Sequence, residues 1–250
     1  MKITVMGASG LIGTRLTERL RHAGMQVVPA SVSLGVNSVT GEGLKEAVSG
    51  ADVVIDVTNA ASFGDDSALT FFKASTRNLL AASAEASVNH YLALSVVGTP
   101  RLVESDYFRA KMVQENLIRA SRRPYTILRS TQFFEFISGM INMGALGDGF
   151  RLPPAFIRPI SADDVSGILA ELALGAARNN TVEIGGPEPF GLDEIARMQL
   201  AANEDKRQVI SDSKAPYYGV ELNDDTLLPH RSARMASQRY LDWLIQTRAG

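Results

Sequence analysis

The chain contains no cysteine, a single tryptophan and three histidines. Each shortage removes a class of chemistry. Without Cys there is no thiol nucleophile, no disulfide framework and no zinc-thiolate cluster. His22, His90 and His230 are dispersed, and none opens the His-x-x-x-His pattern of a metal-binding helix. Long apolar runs are also missing: no 18-residue apolar span marks a transmembrane helix. Met1 and Lys2 lead straight into an apolar segment without the layout of a signal peptide, so the expected location is cytoplasmic. Charge of one sign is lacking as well. With 27 acidic against 25 basic residues, a net charge of -2 and scattered Arg, the chain carries no field that would collect a nucleic acid. Asn179-Asn180-Thr181 matches a glycosylation sequon, which has no meaning in a cytoplasmic chain. What is present is 250 residues, 45% of them hydrophobic, enough for a large core that needs neither disulfide nor metal.

Up to about residue 130, short β-branched runs alternate with longer amphipathic segments. Lys2–Met6, Met25–Val28, Asp52–Val57, His90–Val97 and Tyr125–Arg129 read as strands; Leu11–Ala23, Gly43–Val48, Phe71–Ala86 and Tyr107–Ala120 read as helices. This alternation predicts an α/β fold, a doubly wound parallel sheet with right-handed crossovers. Thr131–Ile160 mixes aromatics, Met, Gly and Pro in the manner of a lid or pocket wall. Ser161 then stands where it caps a helix over Ala162–Leu174, and Thr181–Ile184 reads as one more strand. From Gly191 the chain reads as mostly helical, ending in Tyr240–Ile245, with Asn203–Ser213 as an exposed connection. The expected organisation is a core of residues 1–130, to which 157–185 return, and a small substrate-covering lobe of 131–156 and 186–250.

Between the first strand and helix lies Gly7-Ala8-Ser9-Gly10-Leu11-Ile12-Gly13. A glycine turn in that context is a dinucleotide signature. Gly7 permits the tight turn, Gly10 admits a diphosphate, Gly13 lets helix approach strand, and the helix start offers its N–H groups, so Ser9, Leu11 and Ile12 join the three glycines as cofactor-binding candidates. An NAD site usually carries an acid at the end of the second strand. Here Pro29-Ala30-Ser31-Val32-Ser33-Leu34 has none. NADP(H) is therefore favoured, with the Ser31 and Ser33 hydroxyls as donors to a 2′-phosphate, while NAD stays open and the two serines also fit plain solvated loop positions.

Ser95 ends the strand that precedes Tyr107-Phe108-Arg109-Ala110-Lys111. Tyr107 and Lys111, four apart, share a helix face. A neighbouring ammonium favours the phenolate of a group that otherwise titrates near ~10, which makes Tyr107 a proton donor and acceptor for a carbonyl oxygen, with Ser95 available to hold that oxygen. Tyr four before Lys arises readily by chance; its place after the Ser95 strand, in a chain with a dinucleotide turn, is what carries the reading.

GASGLIG at Gly7–Gly13, Ser95 in ALSVVGT, YFRAK at Tyr107–Lys111, ILRSTQFFEF at Ile127–Phe136 and RPISADDVS at Arg158–Ser166 together resemble the short-chain dehydrogenase/reductase superfamily, in its atypical or extended branch of NmrA-like and NAD(P)H-binding proteins. The resemblance implies a Rossmann-type fold, Tyr107 as acid/base, Lys111 as the residue that lowers its pKa and binds the nicotinamide ribose, and Ser95 as the substrate-orienting hydroxyl. It also implies that Ser130, Thr131 and the residues up to Phe134 lie beside the nicotinamide. The family's fourth-strand element is represented by Thr58-Asn59-Ala60-Ala61, which makes Thr58 and Asn59 further cofactor candidates and leaves a catalytic part for Asn59 open.

An aromatic and Met-rich stretch, Phe133, Phe134, Phe136, Met140, Met143, Phe150 and Phe156, reads either as core or as an apolar pocket. Phe133, Phe134, Met140 and Phe156 are taken as substrate-binding candidates. The expected activity is hydride transfer between NADP(H) and a small hydrophobic carbonyl, enone or quinone-like compound. The alternatives are a non-catalytic NAD(P)-sensing regulator and a nucleotide-sugar epimerase or dehydratase. No metal, membrane or nucleic acid is expected as a partner, and either a monomer or a homodimer fits.

Overall fold

A computed structural model describes residues 1–62 and 66–248. Strand β1 (Lys2–Met6) passes through the glycine turn into α1 (Leu11–His22), and β2 (Gln26–Ala30), α2 (Leu44–Val48), β3 (Val53–Asp56), α3 (Ser67–Glu85), β4 (His90–Val96), α4 (Asp106–Ala120) and β5 (Tyr125–Ser130) follow. Next come α5 (Ile137–Met143), three short strands β6 (Ala145–Leu146), β7 (Gly149–Leu152) and β8 (Phe156–Ile157), then α6 (Ala162–Leu174) and β9 (Asn180–Gly185). The chain closes with β10 (Phe190–Gly191), α7 (Leu192–Ala202), β11 (Gln208–Ser211), β12 (Arg234–Met235) and α8 (Tyr240–Arg248).

Seven strands form a parallel sheet in the order β12-β9-β5-β4-β3-β1-β2, flanked by helices, as the α/β alternation predicts. Every residue of β3 is buried, which suits a strand covered on both faces. On α1, Ile12, Leu16 and Leu20 recur at one face and are buried. From β1 the chain goes to one side for β2 and to the other for β3. That reversal opens a crevice at the carboxyl ends of β1 and β3, where open α/β sheets bind their ligands.

By internal contacts the chain forms two compact units, Met1–Ser95 with Asp106–Arg129 and Val165–Val182, and Val96–Ser105 with Ser130–Asp164 and Glu183–Gly250. The first holds a core in which Val54, Leu79, Ile118 and Ile127 are fully buried, together with a smaller cluster of Ala68, Phe72 and Ala110 between α3 and α4.

Several local expectations change. Strand β2 runs on through Pro29, which a central strand would not tolerate; β2 is the sheet edge, where a missing N–H costs no ladder bond. The tail is not mostly helical. Between α7 and α8 lie only β11 and β12 as regular elements. β11 falls inside the supposed connection Asn203–Ser213 and pairs in parallel with β7, so backbone pairing rather than an apolar pattern holds it. β12, two residues long, is too short for any periodicity to reveal.

Ser161 caps α6: its Oγ accepts from Asp164 N at 3.0 Å, while the Glu135 carboxylate accepts from Ala162 N at 3.2 Å. Both satisfy helix-start donors that have no partner within the helix. Ser161→Ala is expected to lower stability by about 1 kcal/mol, read as a lower urea midpoint at unchanged slope; an unchanged midpoint would contradict the cap.

Candidate active site

The glycine turn is dictated by sterics. Gly7 has φ +86°, and a Cβ there would lie 2.9 Å from the Val57 carbonyl oxygen; a Cβ on Gly13 would lie 2.1 Å from the Gly7 oxygen. The β1 turn and the end of β3 are thus in backbone contact, and the first turn of α1 rests on Gly7. The Gly7 and Ala8 amides both donate to the Ala30 oxygen at the end of β2. Gly10 is the N-cap, no side chain caps the helix start, and no acid occupies its first turn. Ser9 and Gly10 are exposed, Leu11 is half-buried, and Ile12 and Gly13 are buried. After β2, Ser31 and Ser33 lie 2.9 Å apart, oxygen to oxygen, so one hydroxyl proton of the two is engaged between them; Ser31 is buried and Ser33 exposed.

Residues at the carboxyl ends of β3 and β4 meet the inward face of α4. Lys111 is only 3% exposed. Its Nζ donates to the Leu94 oxygen at 2.8 Å and to Gln114 Oε1, and lies 4.5 Å from the centre of the Phe72 ring. Burial lowers its pKa to about 8, against the raising influence of Asp56 and Glu115. Tyr107, one turn earlier and half-buried, donates from its hydroxyl to Asn59 Oδ1 at 3.3 Å. Its ring meets Phe72 and Phe108 edge-on. The segment from Val57 to Asn59 therefore runs from the underside of the glycine turn to the Tyr107 hydroxyl.

Ser95 has a different partner from the one its motif implies. It is 2% exposed, and its hydroxyl donates to Glu115 Oε1 at 2.7 Å. A hydroxyl has one proton, so while this bond holds Ser95 has none for a carbonyl oxygen. Glu115, fully buried, also accepts from Arg129 Nε at 2.9 Å and Nη2 at 2.6 Å and from Arg119 Nη2 at 2.7 Å. Burial opposes the Glu115 charge, but Arg129, Ser95 and Arg119 together outweigh it and hold the carboxyl below its usual value.

Asp56, Gln114 and Glu115 were missed from sequence. A usable signal was there: Asp56 is the one charged residue in the otherwise apolar Val53–Asp56, at the strand end that faces a dinucleotide turn. Gln114 and Glu115, three and four residues beyond Lys111, follow from the same helix face.

The remaining candidates belong to the second unit. Ser130 Oγ donates to the Thr131 oxygen at 2.8 Å, and Thr131 Oγ1 donates to the Arg158 oxygen, so both hydroxyls serve the local backbone. Phe134 is buried against Tyr240 and Trp243, and Met140 is buried with its sulfur 3.6 Å from the Tyr217 hydroxyl. These two are core. Phe133 stacks on Phe136 and is half-buried, and Phe156 is exposed.

At the amino ends of β3 and β4 a cavity of about 550 Å³ is lined by Asp52, Asn89, His90 and Ala177 among others. It lies at the sheet end away from the glycine turn. Among the described residues no acid, His or Cys cluster suits a metal, and no helix is long and apolar enough to cross a membrane.

A glycine turn feeding a helix start without a side-chain cap, at the crevice of a parallel sheet, suits a dinucleotide. The model of a family described as NAD(P)H-binding matches residues 7–174, and the chain belongs to that family. Its fold is similar to a short-chain dehydrogenase/reductase superfamily protein from Agrobacterium tumefaciens with bound NAD, at TM-score 0.73 and 17% identity over 100% of this chain and 97% of that one. It is similar also to a dTDP-4-dehydrorhamnose reductase from Clostridium acetobutylicum, at TM-score 0.71 and 18% identity over the whole of both chains. A third likeness is the dTDP-4-dehydrorhamnose reductase of Bacillus anthracis in complex with NADP, at TM-score 0.65 and 14% identity over 97% of this chain and 92% of that one. Identities this low show a shared fold. No curated protein matches the chain.

Because the folded Glu115 value is depressed, the stability it contributes is fully present above the ordinary carboxylate value, ~4.3, and is lost as pH falls through the lower folded value. Glu115→Gln is expected to cost about 3 kcal/mol at pH 7. Urea titrations of both proteins should show that gap narrowing below ~pH 4; an undiminished gap at pH 3 would contradict the assignment.

Proposed function

We propose that the protein is an NADP(H)-dependent oxidoreductase that transfers hydride between the nicotinamide and a small hydrophobic carbonyl, enone or quinone-like compound, with Tyr107 as general acid/base, the proton donor in the reductive direction. One observation carries the reading: a half-buried Tyr107 shares a face of α4 with a buried Lys111, and its hydroxyl meets Asn59 on the segment that leads back to the glycine turn.

The turn suits a dinucleotide diphosphate. Its helix start has free ends and no acid, and its glycines stand where a Cβ would collide with backbone. Residues Ser9–Gly13 would hold the diphosphate, Thr58, Asn59 and Lys111 the nicotinamide half, and Ser33, with Ser31, a 2′-phosphate that no acid at the end of β2 repels. When bound, the reduced nicotinamide supplies the hydride. Tyr107 gives its phenolic proton to the substrate oxygen, which completes the alcohol and leaves a phenolate. The Lys111 ammonium lowers the cost of that phenolate. Asn59 Oδ1 accepts the Tyr107 proton at 3.3 Å until a substrate oxygen takes its place. Ser95 acts through Glu115, by joining the end of β4 to α4. Of the apolar candidates, Phe133 and Phe156 keep ring surface for a ligand.

A second reading has its own observation. With Ser95 engaged by Glu115, the protein would bind NAD(P) and respond to it without turnover.

NADPH oxidation followed at 340 nm over a panel of ketones, enones and quinones separates the two. Tyr107→Phe is expected to lower turnover at least ~100-fold with little change in NADPH affinity. The reductive rate should fall as pH rises through about 8, where Lys111 loses its charge. A Tyr107→Phe protein as fast as wild type would refute the acid role, and tight NADP binding without turnover on the whole panel would favour the second reading.

A further inference from the structure

Asp56 is a buried carboxylate, 1% exposed, at the end of β3. Four donors converge on it. Thr58 N at 3.0 Å and Thr58 Oγ1 at 2.7 Å reach Oδ1, while Tyr91 Oη at 2.9 Å and Gln114 Nε2 at 3.0 Å reach Oδ2. Four donors fill the acceptor positions of an ionised carboxylate. Burial, then the charge and hydrogen bond of Asp56, hold the Tyr91 hydroxyl well above its usual pKa, so it remains a donor.

Gln114 joins Asp56 to Lys111. Its amide nitrogen donates to Asp56 and its amide oxygen accepts from Lys111 Nζ. The reversed amide would set oxygen against carboxylate and NH₂ against ammonium, so the two charges fix its orientation. The Asp56 and Lys111 charges thus meet through a polarised amide. Thr58, oriented by the same carboxylate, adjoins Asn59, which receives the Tyr107 hydroxyl.

We propose that Asp56 and Gln114 are positioning residues for the Tyr107–Lys111 pair: Asp56 holds the Lys111 ammonium through the Gln114 amide and holds Asn59 against Tyr107 through the Thr58 turn. The inference rests on the reading of Tyr107 and Lys111 given above. The groups around Lys111 are Asp56 from β3, Tyr91 from β4 by way of Asp56, Glu115 from α4 itself, and the uncharged Phe72 ring from α3. Asp56 and Glu115 are the anions that favour its charge.

The test follows Lys111 itself as well as turnover. Lysine ε-carbons are observed by carbon-13 NMR across pH, with Lys111→Met assigning the signal, in wild type, Asp56→Asn and Gln114→Met. Gln114→Met keeps the volume and leaves Asp56 in place, so it remains informative if Asp56→Asn does not fold. Lys111 is expected to lose its proton at lower pH than the wild-type value in both variants. NADPH oxidation with menadione should slow about tenfold in kcat, with its alkaline limb displaced to lower pH and the KM for menadione within about twofold. A folded Gln114→Met protein whose Lys111 titrates as in wild type overturns the inference, even where Tyr107→Phe is slow. A Tyr107→Phe protein as fast as wild type overturns the catalytic reading instead, whatever Lys111 does.

Discussion

A lysine ammonium removed from water needs acceptors on every side, and the site is arranged around meeting that need for Lys111. Desolvating a charge costs several kcal/mol unless hydrogen bonds and an opposite charge replace the water. Lys111 receives the Leu94 oxygen from β4, the Gln114 amide from its own helix, the face of Phe72 from α3, and the Asp56 charge beyond Gln114. Four elements are thereby tied to one nitrogen. Any shift of α4 along the sheet would break these contacts together, which gives Tyr107, one turn away on α4, a defined place.

A second buried charge braces the same face of the helix one turn further on. Glu115 gathers Ser95 from β4, Arg129 from β5 and Arg119 from the next turn of α4. Residues 111, 114 and 115 are spaced so that all three face the sheet. One helix face therefore carries a cation, a dipole and an anion, satisfied between them by the carboxyl ends of β3, β4 and β5. Ordinary side chains in a dry environment hold the site together, and removing one partner leaves another charge uncompensated.

Much of this was legible in the sequence. The βα alternation, the glycine turn, the cap at Ser161 and the Tyr107–Lys111 spacing are all local patterns, and local patterns leave marks on residue order. The losses have physical causes. β11 and β12 exist through pairing with distant strands, and backbone hydrogen bonds carry no side-chain signature. Strand position and motif both set Ser95 beside a substrate oxygen, whereas its partner Glu115 lies on another element, and a contact between distant elements leaves no mark on residue order. Phe134 and Met140 looked like pocket residues because apolar composition cannot tell a core from a ligand surface; contacts with Tyr240, Trp243 and Tyr217 assign them to core. Asp56 was the missed signal with the largest consequence, a lone carboxylate closing an apolar strand.

The glycine turn, Asn59, Tyr107 and Lys111 are proposed to form one dinucleotide-dependent proton-transfer site. The most direct measurement is a crystal structure of the protein grown with NADP⁺. The diphosphate is expected against the amides of residues 10–13, the nicotinamide ribose within hydrogen-bond reach of Lys111, and the Tyr107 hydroxyl facing the nicotinamide. A dinucleotide seated away from the turn, or a nicotinamide out of reach of both Tyr107 and Lys111, would contradict it.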